Sequence, residues 1–574
     1  MDWRWLEVSE EAAERLYGQR SIHPIIARIL SSRGIRTPQE AEDFLHPQLS
    51  QLADPFAITH LREAVQLLER AVQERWALSI IGDYDVDGIT SVTLLVRLLR
   101  HFGLEPQYFI PRRFTEGYGM SDEIVERLRR QSSPRLVMAL DCGTNAVEQV
   151  RRLRADGIEV LILDHHQSND ALPADCVLVN PHIFDVAAHP PWLSLCSAGL
   201  VFKLIHGFLK HRRAQEDPRA LSYPIRQELD LVAMGTIADL VPLVGENRIL
   251  AHCGLGDFAR QRRPGLEALC RVAQMPEAQA AAPEDIAFKL GPRINASGRL
   301  ADAVLPVQML LAENFEEARP LAQTLDEMNA ERQRIERGIL AEAEELFRQS
   351  EELPGIFFSN PGWHSGIVGI VCGKFARDHR RPCVVLGEER GLAKGSGRSV
   401  AGYDLVEILS PCASLLESWG GHPLAVGISL KPENVPLFQK AFQESVRAFR
   451  QKLSGAGDEL LIAQTLSLED IDGPFLADLE NLRPFGQDNP EPVFALKGVH
   501  LDRAAEPFGK NRKHLRLLLK REAQAPLPCL YWNGTRRIPP AKRPLDLAIR
   551  LFWESWQGHR SIRSELLDWK LSGS

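Results

Sequence analysis

The 574-residue sequence contains no CxxC pair, and its nine cysteines are scattered and odd in number. A cysteine zinc site and a closed disulfide framework are therefore not indicated, and the thiols read as reduced and mostly buried. No apolar run approaches membrane-spanning length, and the opening MDWRWLEVSEEAAERLYG lacks the apolar centre of a secretory signal. No membrane association and a cytoplasmic location are the expectation. Positive charge is short as well, with 68 Lys and Arg against 76 Asp and Glu and a formal net charge of -8. Such a balance gives no global support for nucleic-acid binding, so any contact with a phosphate backbone has to be a local groove. Repeats and low-complexity tracts are lacking too.

What is present is an ordinary globular composition, 44% apolar and 25% charged, in a chain long enough for roughly four units. Residues 1–58 have the periodicity of short helices and read as an N-terminal helical cap without chemistry. From 59 to 266, apolar strand-length runs ending in acidic turns alternate with amphipathic helices, the pattern of an α/β domain with a mostly parallel sheet. Residues 267–350 form a helical connector, in which the stretch from Leu321 to Ser350 is interrupted only by Gly338 and suits one long helix. A second α/β lobe is expected over 351–450, with GIFFSN and PCVVLG as strands. After the linker KLSGAGDE, residues 456–574 carry short alternating runs that fit an OB-like β-barrel, and a sandwich equally well.

The acids carry the chemistry. Leu78 to Ile81 read as a strand that runs into Gly82-Asp83-Tyr84-Asp85-Val86-Asp87-Gly88, where alternate residues of an extended segment would aim Asp83, Asp85 and Asp87 into one pocket. A second strand, Leu136 to Leu140, ends at Asp141, and a third, Ile158 to Leu163, ends at Asp164-His165-His166. Ligands of open parallel sheets sit beyond the carboxyl ends of the strands, so these groups converge on one cleft. Carboxylates packed so closely raise each other's pKa unless divalent cations compensate them. Asp239 in GTIADLVPL is a fourth candidate. Mixed carboxylate and imidazole donors suit divalent Mn²⁺ or Mg²⁺ better than a structural zinc. Singly, Asp141 or Asp239 reads equally well as a structural residue such as a helix N-cap; together the three strand ends favour a metal site.

GDYDVDG, LDCGTN, LDHHQ and GTIADLVPL, in this order and at these intervals, resemble the four metal-site motifs of the DHH phosphoesterases. That resemblance implies Asp85, Asp87, Asp141, His165 and Asp239 as ligands of two metals with Asp141 bridging, and His166 beside the scissile phosphate. Many relatives carry a His where this chain has Ile81, which leaves Asp83 or water to complete the first shell. IPRRFTEGYG, KLGPRINASGRL, NAERQ, WHSGIVGIV, GSGRS and WGGHPLAVG are similar to segments of RecJ-like nucleases, and LRPFGQDNPEPVF to the entry into their OB-like domain. The implied protein is a single-stranded-DNA-specific exonuclease of repair and recombination, working 5′ to 3′ and releasing 5′-mononucleotides. It would be a monomer, with a single-strand-binding protein and a helicase as partners.

By the same motifs Arg113, Tyr118, Arg293, Arg299, Ser396, Arg398 and His422 fall in the family's DNA-contact segments. Guanidinium groups bind phosphate oxygens bidentately, Gly-rich amides admit a 5′ phosphate, and Tyr118 stacks on a base. Singly, each also reads as an ordinary surface pair, turn or core residue. In the last domain, Tyr531, Trp532 and Trp553 are candidates to extend a stacking groove. The alternatives are a DHH phosphodiesterase of short oligonucleotides or cyclic dinucleotides, and a non-catalytic replication scaffold of the same fold.

Overall fold

The protein is described from a computed structural model, which covers every residue except 1, 20–21, 113–115, 169–170, 259–261, 277–280, 301–302, 350–352, 453–458, 523, 557–558 and 574. Most of the expected linker after residue 452 lies outside the described residues.

The acidic motifs sit on a five-stranded, all-parallel sheet in the order Gln107–Phe109, Leu78–Gly82, Leu136–Leu140, Glu159–Leu163, Val177–Val179. Every residue of Leu78–Gly82 and Leu136–Leu140 is buried, because helices cover both faces. On one face Ile80, Met138 and Leu161 pack with helices Leu61–Gln73, Val86–His101 and Ser197–Arg213. On the other, Ile81, Val137 and Ile162 pack with Asp122–Gln131 and Val147–Ala155. Ile81 is thus a core residue on the face away from the first cluster, a natural place for an apolar side chain.

The connecting helix runs Phe315–Gln349, 35 residues, with Pro320 in its second turn. Asn314 caps its start, accepting from Glu317 N at 3.0 Å. The second lobe is a mixed sheet in the order Ser418–His422, Ala425–Leu430, Leu392–Arg398, Cys383–Glu389, Ile356–Ser359, where only the last two strands are parallel. Helix Ser365–His379 and the end of the long helix cover one face, and helix Val435–Lys452 covers the other.

The C-terminal region is a seven-stranded mixed, OB-like sheet. Its core includes the start of the chain. Strand Asp2–Trp5 pairs in parallel with Glu459–Ile462, and Trp3 Nε1 donates to Asp568 at 2.9 Å. Leu16, Ile26, Ile29 and Leu30 share one apolar cluster with Phe475, Phe494, Leu517 and Leu547. The first helices therefore pack mainly on the last domain, while Phe44 of the third is also bonded by Arg248 of the α/β domain that follows them in sequence. Among the described residues, no helix is long and apolar enough to cross a membrane.

Each Leu or Ile so buried contributes about 1.5–3 kcal/mol, so removing the partner sheet should leave a sticky remnant. A chain truncated after residue 455 is expected to aggregate or bind the dye ANS strongly, and removal of residues 1–45 as well should relieve this. Size-exclusion chromatography and dye fluorescence report both, and a monomeric, dye-silent single truncation would contradict the shared core.

Candidate metal centre

The sheet order reverses at Leu78–Gly82, whose neighbours are the next strand on one side and the third on the other. The crevice beyond the strand ends opens at such a switch point. There the structure brings the predicted acids and imidazoles together in three overlapping groups: Asp83, Asp85 and Asp141; Asp87, His165 and Asp239; and Asp141, His165 and His166. Within each group one donor atom per residue lies within 4.8 Å of the others. His165 Nε2 stands 3.3 Å from Asp141, 3.5 Å from Asp239 and 3.8 Å from Asp87.

The route to this convergence differs from an extended alternation. The strand stops at Gly82 and helix Val86–His101 begins almost at once, capped by Asp85, which accepts from Asp87 N at 3.0 Å and Gly88 N at 3.1 Å. Asp87 thus points inward from the first helical turn. Gly88 is needed because a Cβ there would stand 2.5 Å from Asp83 O. Asp141 takes a left-handed backbone, φ +62°, and is no helix cap. Asp239 ends helix Leu229–Ala238, and that helix approaches closely because a Cβ at Gly235 would meet Asp87 Oδ1 at 2.7 Å.

Several supporting groups were not among the residues singled out from the sequence pattern. The amides of Ser197 and Ala198, at the start of their helix, donate to both oxygens of Asp87 at 2.7 and 2.9 Å, and Ser197 Oγ donates to Asp141 at 3.2 Å. The serine at a helix start in LCSAGL was the available cue. Asp164 accepts from His166 Nδ1 at 2.7 Å and from Thr144 N at 2.9 Å, while Asn180 donates to Thr144 Oγ1 and to His166 O.

Burial first, and then the Asp85 charge, push Asp83 well above the usual carboxylate range and Asp87 up to about 6. Burial and the charges of Asp85, Asp87 and Asp239 raise Asp141 likewise, and burial with Asp87 lifts Asp239 to about 9. Burial, with His166 beside it, drives His165 down to about 3. For His166 burial works downward, but the bond to Asp164 and its charge win and hold it at about 9. A site that strains to ionise its own carboxylates, with a neutral imidazole among them, fits divalent cations. Both Asp83 oxygens and His165 Nε2 are buried without a hydrogen-bond partner, open as donors to metal.

The candidate DNA contacts are spread more widely. Tyr118 is half-exposed, its hydroxyl 3.0 Å from His166 Nε2 and its ring edge-on to Tyr84. Arg113 lies outside the described residues. Arg293 pairs with Asp326 of the long helix at 2.8 Å, and Arg299 donates to Gly366 O at 2.7 Å, tying the connector to the second lobe. Ser396 and Arg398 share one face of their strand, and a Cβ at Gly369 of the covering helix would stand 3.0 Å from Ser396 Oγ and 3.5 Å from Arg398. Ser396 also lines a cavity of about 330 Å³ with Lys394, Glu389 and Trp419. His422 is exposed at the same end of the sheet as Arg398, which pairs with Ala425. A cavity of about 800 Å³ elsewhere is lined by arginines already paired to acids, Arg97 with Glu228 and Arg226 with Asp257. In the last domain Tyr531 and Trp553 pack against the core, whereas Trp532 is 47% exposed beside Phe508 and His514, with Arg516 over the Phe508 ring.

Comparison with known proteins agrees with this geometry. Residues 77–236 match the DHH family N-terminal domain, 353–448 the DHHA1 domain and 462–568 the RecJ OB domain. The chain is 34% identical to the single-stranded-DNA-specific exonuclease RecJ of Escherichia coli over 94% of each chain. The chain belongs to the RecJ family. It is 33% identical to the Bacillus subtilis RecJ over 93% of this chain, spanning 66% of that relative's length. The crystal structure of RecJ in complex with Mn²⁺ from Thermus thermophilus superposes with a TM-score of 0.82 at 28% identity, covering all of this chain and 80% of that one. A RecJ structure from the same source holds Mg²⁺, so the ion class expected from the donor set is the one found in solved RecJ structures.

Since Asp239 holds its proton up to about pH 9 and Asp87 up to about pH 6 in the metal-free protein, Mn²⁺ has to displace protons as it binds. Affinity should rise from about pH 6 to about pH 9, by up to about tenfold per pH unit for each proton released. Calorimetry in buffers of different ionisation enthalpy counts these protons; a flat affinity with no proton release would contradict the reading.

Proposed function

We propose that this chain is a metal-dependent, single-stranded-DNA-specific exonuclease, hydrolysing phosphodiester bonds from the 5′ end to release 5′-mononucleotides. The observation that carries the reading is the pair of donor triads, Asp83-Asp85-Asp141 and Asp87-His165-Asp239, that adjoin where Asp141 stands 3.3 Å from His165, in a chain related over nearly its whole length to exonucleases of that name. In this reading Asp83, Asp85 and Asp141 hold one divalent ion and Asp87, His165 and Asp239 the other. Ions held there would supply Lewis-acid polarisation of the phosphate, activation of water and charge stabilisation of the leaving group.

The chain's own groups supply position. Asp164 occupies His166 Nδ1, so Nε2, now resting on the Tyr118 hydroxyl, is the atom that meets a phosphoryl oxygen with its proton. Tyr118 is then free to stack on a base. Arg398, Ser396 and His422 receive the 5′ end across the cleft, together with Arg113. Arg293 and Arg299 act by holding the lobes around the strand, as their pairing supports. Phe508, His514, Trp532 and Arg516 form an aromatic and basic surface that extends the track. Action in DNA repair and recombination in the cytoplasm, as a monomer with a single-strand-binding protein and a helicase as partners, follows from the family resemblance.

Digestion of one long strand labelled at either end, with Mn²⁺ and then Mg²⁺, tests the reading: release of labelled mononucleotide from the 5′ end alone supports it, and cleavage confined to dinucleotides points to a phosphodiesterase. Asp141→Ala should abolish cleavage while DNA binding persists, because one triad loses a donor and the other loses the carboxylate 3.3 Å from its His165; near wild-type turnover would remove Asp141 from the metal site. Wild type should prefer a 5′-phosphorylated strand over a 5′-hydroxyl strand at fixed salt, and Arg398→Ala should lose most of that preference. An unchanged preference in the variant would take Arg398 out of the end pocket.

A further inference from the structure

The start of helix Gly245–Phe258 bonds to two segments that lead to the metal centre, one before Ser197 and one after Asp239. Asn247 is 1% exposed and donates from Nδ2 to Ser194 O at 2.6 Å and to Pro242 O at 3.0 Å. Ser194 leads directly into Ser197 and Ala198, whose amides grip Asp87. Pro242 closes the turn that begins at Asp239.

That turn is held against its own preference. Leu240 has φ +60°, in the left-handed region that a leucine rarely enters. Its side chain cannot be what keeps it there, because the residue is 66% exposed. A strained backbone of this kind persists only where its surroundings over-determine it. The surroundings here are Asn247 on Pro242 O and Gln487 O, which accepts from Leu243 N at 2.8 Å.

The neighbours of Asn247 are anchored just as firmly. Glu246, fully buried, accepts from Lys203 Nζ at 2.9 Å and from Ala53 N at 2.8 Å. Arg248, 2% exposed, donates to Phe44 O, Leu482 O and Asn481 O at 2.9–3.0 Å. One helical turn therefore joins carbonyls of the N-terminal helices and of the C-terminal domain to the two segments that deliver Asp87 and Asp239.

We propose that Asn247 is a positioning residue for the metal centre: from one buried amide it fixes both the turn that presents Asp239 and the segment that grips Asp87, and Arg248 ties that amide to the terminal domain. Asn247 touches neither substrate nor the reacting atoms. The proposal rests on the metal-centre reading above.

The test measures Mn²⁺ affinity of the full-length chain without DNA, by titration calorimetry or by the electron paramagnetic resonance signal of free Mn²⁺, alongside melting temperature. Asn247→Leu keeps the volume and removes both donors; Asn247→Ser keeps one donor and serves if the leucine variant fails to fold. Gln443→Leu is the control, since it removes two buried hydrogen bonds to Gly355 in the second lobe. The leucine variant should lose up to about 10-fold in affinity, the lower end of what loss of a ligand's direct hydrogen-bond partner costs, because Asn247 acts one bond further out. The serine variant should fall between, and the control should stay within about twofold of wild type for a comparable loss of melting temperature. Adding Leu240→Gly to Asn247→Leu should restore part of the affinity, because glycine takes φ +60° freely. Folded Asn247 variants that bind Mn²⁺ like wild type, or a control that loses as much as they do, would overturn the proposal. Failure of the wild-type chain to bind Mn²⁺ would instead defeat the metal-centre reading itself.

Discussion

Five aspartates, at 83, 85, 87, 141 and 239, are gathered at one end of a parallel sheet, and their mutual repulsion is the constraint around which the surroundings are arranged. Burial sharpens that repulsion, because a low-dielectric site disfavours every added negative charge. The protein answers with fixed dipoles and with geometry. A helix start supplies two amides to Asp87, a neutral imidazole stands among the carboxylates, and Asp164 keeps a charged imidazole at the rim. What these do not neutralise is left for cations, which is why the same cluster that costs stability without metal is the one suited to bind it.

Much of this was legible in the sequence because strand ends announce themselves. Apolar runs stopping at Asp141 or at Asp164-His165-His166 locate a cleft from the order of residues alone, and the parallel sheet follows from their alternation with helices. The convergence of Asp83, Asp85 and Asp87 was foreseen, but its cause was not: the helix begins at Val86, so the three side chains converge through a strand-to-helix turn and not through a pleated strand. The amides of Ser197 and Ala198 were hidden for a different reason. A backbone N–H has no letter of its own, and its role depends on where a helix start is carried by packing.

Long-range pairing explains the remaining differences. Nothing near Arg293 or Arg299 in sequence shows that the first meets Asp326 and the second the carbonyl of Gly366, so a motif rich in arginine reads as a phosphate binder when part of its work is to brace two lobes. In the C-terminal domain, likewise, composition could not separate Trp532, which is exposed beside Phe508 and His514, from Tyr531 and Trp553, which pack against the core.

The pairing of the first strand with Glu459–Ile462, and the shared core of Leu16, Ile26 and Leu30 with Phe475 and Phe494, also has a consequence in time. During synthesis the helices of residues 10–45 leave the ribosome well before the surface that covers them, which lies beyond residue 459. At a synthesis rate of about 5–20 residues per second, their apolar face waits on the order of tens of seconds for its partner. The α/β domain can fold in that interval, but these helices cannot meet their partner sheet until it too has been translated. A chain whose synthesis stops in the second lobe therefore carries those helices with the apolar face of Leu16, Ile26 and Leu30 uncovered.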